Sequence, residues 1–216
     1  MKKKGIILII IVILAIVGGL ELLYRNNVIP HNKYTNEDFG INQYQSEIDL
    51  DQDGIDDQTD ILQSAFSYVM TKPKYKSKYY ETGYPNDGFG VCTDVVAFAL
   101  KDAGYDLQYL VNEDIKMNPQ DYNIKTPDVN IDFRRVRNLN QYFSNHAISL
   151  TLDINQNSEW SGGDIVVFKG HIGIVSSNRN NQGVPFVIHH NSQFQFHYEE
   201  DILMYRHDII GHYRIS

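Results

Sequence analysis

The chain predicts an α+β domain carried behind an apolar N-terminal helix, and three observations lead there. Helical periodicity governs residues 59–70 and 92–103. Short β-rich runs separated by Gly, Asn and Ser turns follow Trp160. Helices first and strands after is the order of an α+β domain with an antiparallel sheet. The third observation is a basic cluster followed by an uncharged aliphatic run at the very start of the chain.

The start sets the expected compartment. Met1-Lys2-Lys3-Lys4 precedes Gly5 to Leu20, which carries no charge. At 1.5 Å per residue that run spans roughly 24 Å, and Leu22, Leu23 and Tyr24 extend it toward the ~30 Å of a bilayer core. Basic residues ahead of the segment place the N-terminus inside and the body outside the cytoplasm. A cleaved signal peptide is the rival reading, but Gly18-Gly19 is a poor cleavage site and no lipobox cysteine follows. Residues 1–24 are therefore expected to be a single-pass anchor in the cell membrane, 25–48 a linker, and 49–216 the folded domain.

Composition narrows the class further. Hydrophobic residues make up 42% of 216, enough for a substantial core, and the formal net charge is −8. Three lysines and one glutamate lie in residues 1–24, leaving 16 basic and 26 acidic residues, a balance of −10. So acidic a body excludes nucleic acid as an expected partner.

Within the domain, Ile61, Leu62, Ala65, Phe66 and Val69 recur at helical spacing, with Thr59 or Asp60 as cap. Cys92 to Ala103 is apolar on nearly all sides and stops at Gly104, the pattern of a helix buried in mid-domain. Shorter helices are expected at 107–116 and 137–146. Strands are expected at 164–168, 171–176, 184–190 and 209–214.

The acidic stretch Asp49 to Asp60 fits a twelve-residue calcium loop. Asp49, Asp51, Asp53, Asp57 and Asp60 fall at ligand positions 1, 3, 5, 9 and 12, Gly54 at 6, and Ile55 can offer its carbonyl at 7. Asp at position 12 has a shorter arm than the usual Glu, and no helix precedes the loop. A solvated acidic turn is the alternative.

Cys92 is the only cysteine, so an internal disulfide is excluded and its reactivity becomes the question. A free cysteine is commonly just a small buried apolar side chain. This one leaves a glycine-rich loop and opens a helix, where the N-terminal dipole favours a thiolate. A nucleophilic thiol needs a base, and a third polar group to orient it. His171 begins the run His171-Ile172-Gly173-Ile174-Val175, in which His171, Gly173 and Val175 share a face and Gly173 leaves room beside the imidazole.

A helix-opening cysteine, then Gly163-Asp164-Ile165-Val166, then His171-x-Gly173-Ile174-Val175, resembles the NlpC-type papain-like cell-wall hydrolases. The chain is more similar to the YijF-like family of domains of unknown function, itself similar to that fold. The matching pieces include Gly54-Ile55-Asp56-Asp57, Gly83-Tyr84-Pro85, Gly90-Val91-Cys92-Thr93-Asp94 and Ala103-Gly104-Tyr105-Asp106. They continue through Asn130-Ile131-Asp132, Arg134-Arg135-Val136, Val187-Ile188-His189 and Gly211-His212-Tyr213-Arg214, across residues 45–215.

The resemblance implies a papain-like α+β fold, with the helix carrying Cys92 packed on an antiparallel sheet. It implies Cys92 as nucleophile and His171 as base, with no cofactor for the chemistry. The third member lies on the next strand, in the order of preference His189, Asn191, His190. Residues 189 and 190 face opposite ways, so both cannot address His171. The family has His where Phe133 stands, which removes that position from the site. Asp94 reads equally as helix cap and as substrate contact. Arg134-Arg135 reads as a carboxylate clamp or an internal ion pair, and Tyr84 is expected to line the cleft.

The expected activity is cleavage of an amide bond in cell-wall peptide through a thioester. A non-catalytic wall-binding module, or an acyltransferase or lipid deacylase using the same pair, is the alternative on the same fold.

Overall fold

A computed structural model describes residues 2–215 and divides the chain into two units, Met1–Asn32 and Lys33–Ser216. Met1 and the side chains of Lys2, Lys3 and Lys4, the expected basic cluster, lie outside the described residues. In the first unit α1 runs over Lys2–Arg25. Its stretch Gly5–Arg25 is long and apolar enough to cross a membrane and is 0% buried. A helix that shows aliphatic side chains on every side suits hydrocarbon better than water.

The second unit begins earlier than expected. Residues 33–48 do not hang as a tether. Tyr34 exchanges both backbone hydrogen bonds with Arg179 at 2.8 Å, Gln43 donates to the Gly162 carbonyl at 2.8 Å, and the Tyr44 N–H reaches Ser161 at 2.9 Å. Arg179 is wholly buried and donates to the carbonyls of Asn157, Trp160 and Gly183 and to Asn36. These backbone partners hold the strap, which no periodicity in the sequence announces.

The remaining elements follow in chain order: α2 (Asp57–Met70), β1 (Lys74–Tyr75), β2 (Phe89–Gly90), α3 (Cys92–Asp102), α4 (Leu107–Met117) and α5 (Val136–His146). Then come β3 (Ile148–Ser149), β4 (Ile165–Phe168), β5 (His171–Arg179), β6 (Pro185–Ile188), β7 (Glu199–Glu200) and β8 (Ile209–Arg214). Four expected helices and four expected strands stand within a few residues of their places. α2 starts two residues early because Asp56 is its cap, accepting the Thr59 N–H at 3.2 Å.

The six-stranded sheet has the order β3-β8-β4-β5-β6-β7, and all its pairs are antiparallel. Alternation gives the central strands two buried faces. Ile165, Val167, Ile172, Ile174 and Ile188 face the helices and join Val95, Val96, Ala99 and Leu100 of α3 in the main core. Val166, Phe168, Val175 and Val187 face the other way and pack with Trp160, Val184 and Leu203. Burial on both faces explains why these strands read as continuous apolar runs. Among the described residues the second unit is thus an α+β domain with α3 buried against the sheet.

Candidate active site

Cys92 is the first residue of α3, and the chain reaches it under tight constraint. β1 pairs with β2 in parallel, setting Tyr75 beside Gly90. A Cβ on Gly90 would come within 2.2 Å of the Tyr68 hydroxyl, so only glycine passes there. The Asp94 carboxylate accepts the Val91 N–H at 2.8 Å and so caps the helix start. The same carboxylate takes a bidentate pair from Arg134, at 2.6 and 2.9 Å, with Asp94 0% exposed. Arg134 also donates to the Lys78 carbonyl at 2.7 Å. Of the two readings of each residue, the structure shows the helix cap for Asp94 and the internal ion pair for Arg134, not a substrate contact. Their work is to fix the loop that delivers Cys92.

The sheet brings the opposite wall. β6 ends its pairing at Ile174–Ile188, and His189 then donates its N–H to Tyr198. Near this parting the N–H of Ile172, the residue after His171, draws the Cys92 pKa down.

His171 and His189 meet in the same region. His171 Nε2 lies 2.9 Å from His189 Nδ1, and His189 Nε2 lies 3.1 Å from the Glu200 carboxylate. Gly173 makes this possible, since a Cβ there would approach the Val187 side chain to 2.6 Å and the His189 Cβ to 3.1 Å. The proton positions follow from chemistry. A carboxylate only accepts, so His189 carries its hydrogen on Nε2. Neutral His189 then accepts on Nδ1, and His171 must donate from Nε2. His171 Nδ1 is left bare, able to take a proton from a thiol.

Burial keeps all of these groups neutral. It lowers His171 to about 2, with His189 and Arg206 adding to the effect, and lowers His189 to about 3, with Arg206 second. It pushes the Cys92 thiol up to about 11, against the N–H groups of Ile172, Thr93 and Cys92, which pull the other way. Desolvation thus outweighs those N–H groups. No hydrogen bond joins the thiol to an imidazole among the described residues. The resting pair is a thiol and a neutral base, not a preformed ion pair.

The other expected residues scatter. Tyr84 is a core residue: its hydroxyl donates to Asp106 at 2.9 Å and its ring packs against Phe98 and Phe133. Arg135 is exposed in a separate cleft with Asp128, Asp132 and Arg137. Asn191 is exposed, its backbone N–H donates to Gln195 at 2.6 Å, and it is His189 that meets the His171 ring. His190 faces away from His189, as alternation demands, and lies edge-on to Tyr75 and Tyr198. Glu200 escaped the sequence reading. Its signal was faint: a buried carboxylate in a two-residue strand, opposite Val187.

The acidic loop keeps part of its expected ligand set. One oxygen from each of Asp49, Asp51 and Asp53 lies within 4.8 Å of the others. Asp57 leaves the set, because its carboxylate turns inward to the Leu50 N–H at 2.8 Å and to the Tyr105 hydroxyl. Asp60 is raised to about 6 by burial and by Asp51, Asp53, Asp102 and Asp57, which marks a concentration of negative charge around it. Ile55 stays in the loop, its N–H bound by Asp53 at 2.8 Å.

Comparison with known proteins places this arrangement in a family. Residues 62–215, which hold the thiol and the imidazole relay, match the family described as "Domain of unknown function (DUF1287)". The chain is 39% identical over 157 residues to a protein of Escherichia coli (strain K12) described as "Uncharacterized protein YijF", covering 68% of this chain and 75% of that protein. No solved structure matches. With more than half of its length matched, and both walls of the site inside the match, this chain belongs to the DUF1287 family.

Proposed function

We propose that this protein is a cysteine hydrolase that cleaves an amide bond through a thioester, held at the outer face of the cell membrane by α1. The observation that carries the reading is the His171–His189–Glu200 relay. Its hydrogen-bond directions leave His171 Nδ1 free to accept, and the N–H of the next residue, Ile172, draws the Cys92 pKa down.

In the first step the Cys92 sulfur attacks the carbonyl carbon while His171 Nδ1 takes the thiol proton. The C–N bond breaks, and His171 returns that proton to the departing amine. Water then attacks the thioester, gives its proton to His171, and the thiol is restored. The N–H groups of Cys92 and Thr93 at the helix start are the candidate donors to the developing oxyanion. Because the resting thiol is neutral, substrate must trigger the proton transfer. Similarity to the NlpC-type hydrolases favours cell-wall peptide as substrate, with no cofactor in the chemistry. We also propose that the loop of Asp49, Asp51 and Asp53 takes a structural calcium ion away from this chemistry.

The test incubates the purified full-length chain with peptidoglycan and follows released fragments by mass spectrometry. Wild type is expected to release peptide with a new amine, and Cys92→Ala none above background. Undiminished release by Cys92→Ala or by His171→Ala would remove the mechanism.

A further inference from the structure

A cavity of about 390 Å³ opens at the paired strands β1 and β2 that lead into α3, lined by Lys72, Lys74, Tyr75, Phe89, His190 and the loop bearing Gln193 and Gln195. Tyr75 ties it to the nucleophile. It pairs with Gly90, two residues before Cys92, and its phenol is raised by burial and then by the Cys92 charge, so the two side chains lie within electrostatic reach.

Two features of this cavity have no structural employment. His190 is 1% exposed, and its Nδ1 is buried with no hydrogen-bond partner. A buried polar atom left unpaired is costly and uncommon in a native fold. Lys72 and Lys74 make no ion pair among the described residues, whereas Lys78 of the same stretch pairs with Asp87 and lies over Phe89. The two ammonium groups stand in a domain whose overall balance is strongly negative. Lys72 moreover holds φ 54°, past the end of α2, where glycine is the usual residue. A lysine kept in a left-handed conformation at the mouth of a cleft points to a use for its charge.

We propose that this cavity is an anion subsite. Lys72 and Lys74 bind a carboxylate or phosphate group of the substrate beside the bond that Cys92 attacks, and His190 hydrogen-bonds to the same group. This deepens the hydrolase reading and rests on it. It assigns the substrate class as an anionic acyl compound and makes Lys72, Lys74 and His190 specificity-determining residues.

The sole cysteine permits a direct test. The full-length chain is alkylated with iodoacetate and with iodoacetamide, and each rate is read from intact mass and divided by the rate for N-acetylcysteine. Without a local site the acidic domain repels iodoacetate and favours the neutral reagent. With the subsite, the normalised iodoacetate rate exceeds the iodoacetamide rate by about tenfold. It saturates with concentration, and acetate or inorganic phosphate protects. Protection at lower concentration by one of the two distinguishes a carboxylate from a phosphate subsite. Lys72→Gln/Lys74→Gln abolishes the preference, read as the ratio of the two normalised rates on the same variant, and His190→Gln lowers it about threefold.

Reaction with iodoacetamide but no preference for iodoacetate would overturn the subsite and leave the nucleophile standing. So would a preference that survives the double lysine substitution, or one that neither anion competes away. Failure of both reagents to modify the folded protein would bring down the nucleophile reading and the subsite together.

Discussion

Two buried histidine networks share this sheet, and they are built to different ends. Around Asp164 both imidazole nitrogens of His212 and both carboxylate oxygens are paired, and only the Gln58 Oε1 is buried without a partner. His212 sets Nδ1 against the Thr151 carbonyl at 2.7 Å and Nε2 against Asp164 at 3.1 Å, with its ring stacked 3.7 Å from Trp160. Asp164 also accepts from Arg214 at 2.7 and 2.8 Å, from Gln58 at 2.9 Å and from the Ser161 N–H at 2.8 Å. No histidine nitrogen is left over there. The His171–His189–Glu200 relay ends instead on His171 Nδ1, for which no hydrogen-bond partner stands among the described residues. Saturation fixes a fold, and an unfilled valence within a rigid surround leaves something for chemistry.

The comparison breaks most visibly at Asp164. Asp164→Ala strands Arg214 and His212 in the interior and is expected to cost about 3–5 kcal/mol. For a domain of this size that lowers Tm by roughly 10 °C in a thermal melt. His189→Leu is expected to reverse the balance, with a peptide-release rate roughly 100-fold lower and a smaller Tm change. His189→Gln sharpens the point, because an amide oxygen can accept from His171 while its NH₂ donates to Glu200. Recovery to within about tenfold of wild type is the expected readout. A glutamine variant as slow as the leucine variant would deny the relay its positioning role.

Acid separates the networks by another route. His171, His189 and His190 are depressed to about 2, 3 and 4 by burial, against 6.5 in the unfolded chain. The unfolded chain therefore binds more protons below pH 6.5. The stability these groups contribute is complete above 6.5 and drains away as pH falls from there toward their folded values. Each contributes at most about 1.4 kcal/mol per pH unit within that window. The midpoint of urea unfolding should drop between pH 7 and pH 5, and His190→Gln should flatten the drop. The thiol shows the opposite sign. Raised to about 11, Cys92 should gain reactivity toward iodoacetamide steadily as pH climbs past 9.

Calcium is the smallest effect. Millimolar calcium should raise Tm by a few degrees over chelator, with a gain of RT ln(1 + [L]/Kd). Asp49→Asn should erase the increment while leaving peptide release unchanged. An increment that Asp49→Asn does not touch would place the ion elsewhere.

Local pattern made most of the architecture legible. Helical spacing at 61–69 and the all-round apolar helix from Cys92 needed only short-range periodicity, as did the alternating strands after Trp160. His171 was legible as the start of a β-rich run, while His189 came from the family resemblance, alternation saying only that His189 and His190 face opposite ways. Glu200 was not, because a two-residue strand has no period to read. Asp94 and Arg134 misled in a specific way. A carboxylate at a helix start and an arginine pair have the same letters whether they face a ligand or each other. Asp57 failed likewise, since loop spacing cannot show that Tyr105 and the Leu50 N–H claim its oxygens.

Sequence alone determined the α+β class, the apolar N-terminal helix, the lone thiol at a helix start and the histidine strand after it. Those are properties of neighbours a few residues apart, governed by backbone period and local charge. Only the tertiary structure decided which groups are already satisfied. It closed Asp94 on Arg134, turned Tyr84 into the core and left His190 Nδ1 without a partner. It also buried the Cys92 sulfur, which pushes the thiol up despite the nearby N–H groups of Ile172 and Thr93. Satisfaction and desolvation are set by what long-range packing brings within 3 to 4 Å, and no spacing along the chain encodes that distance.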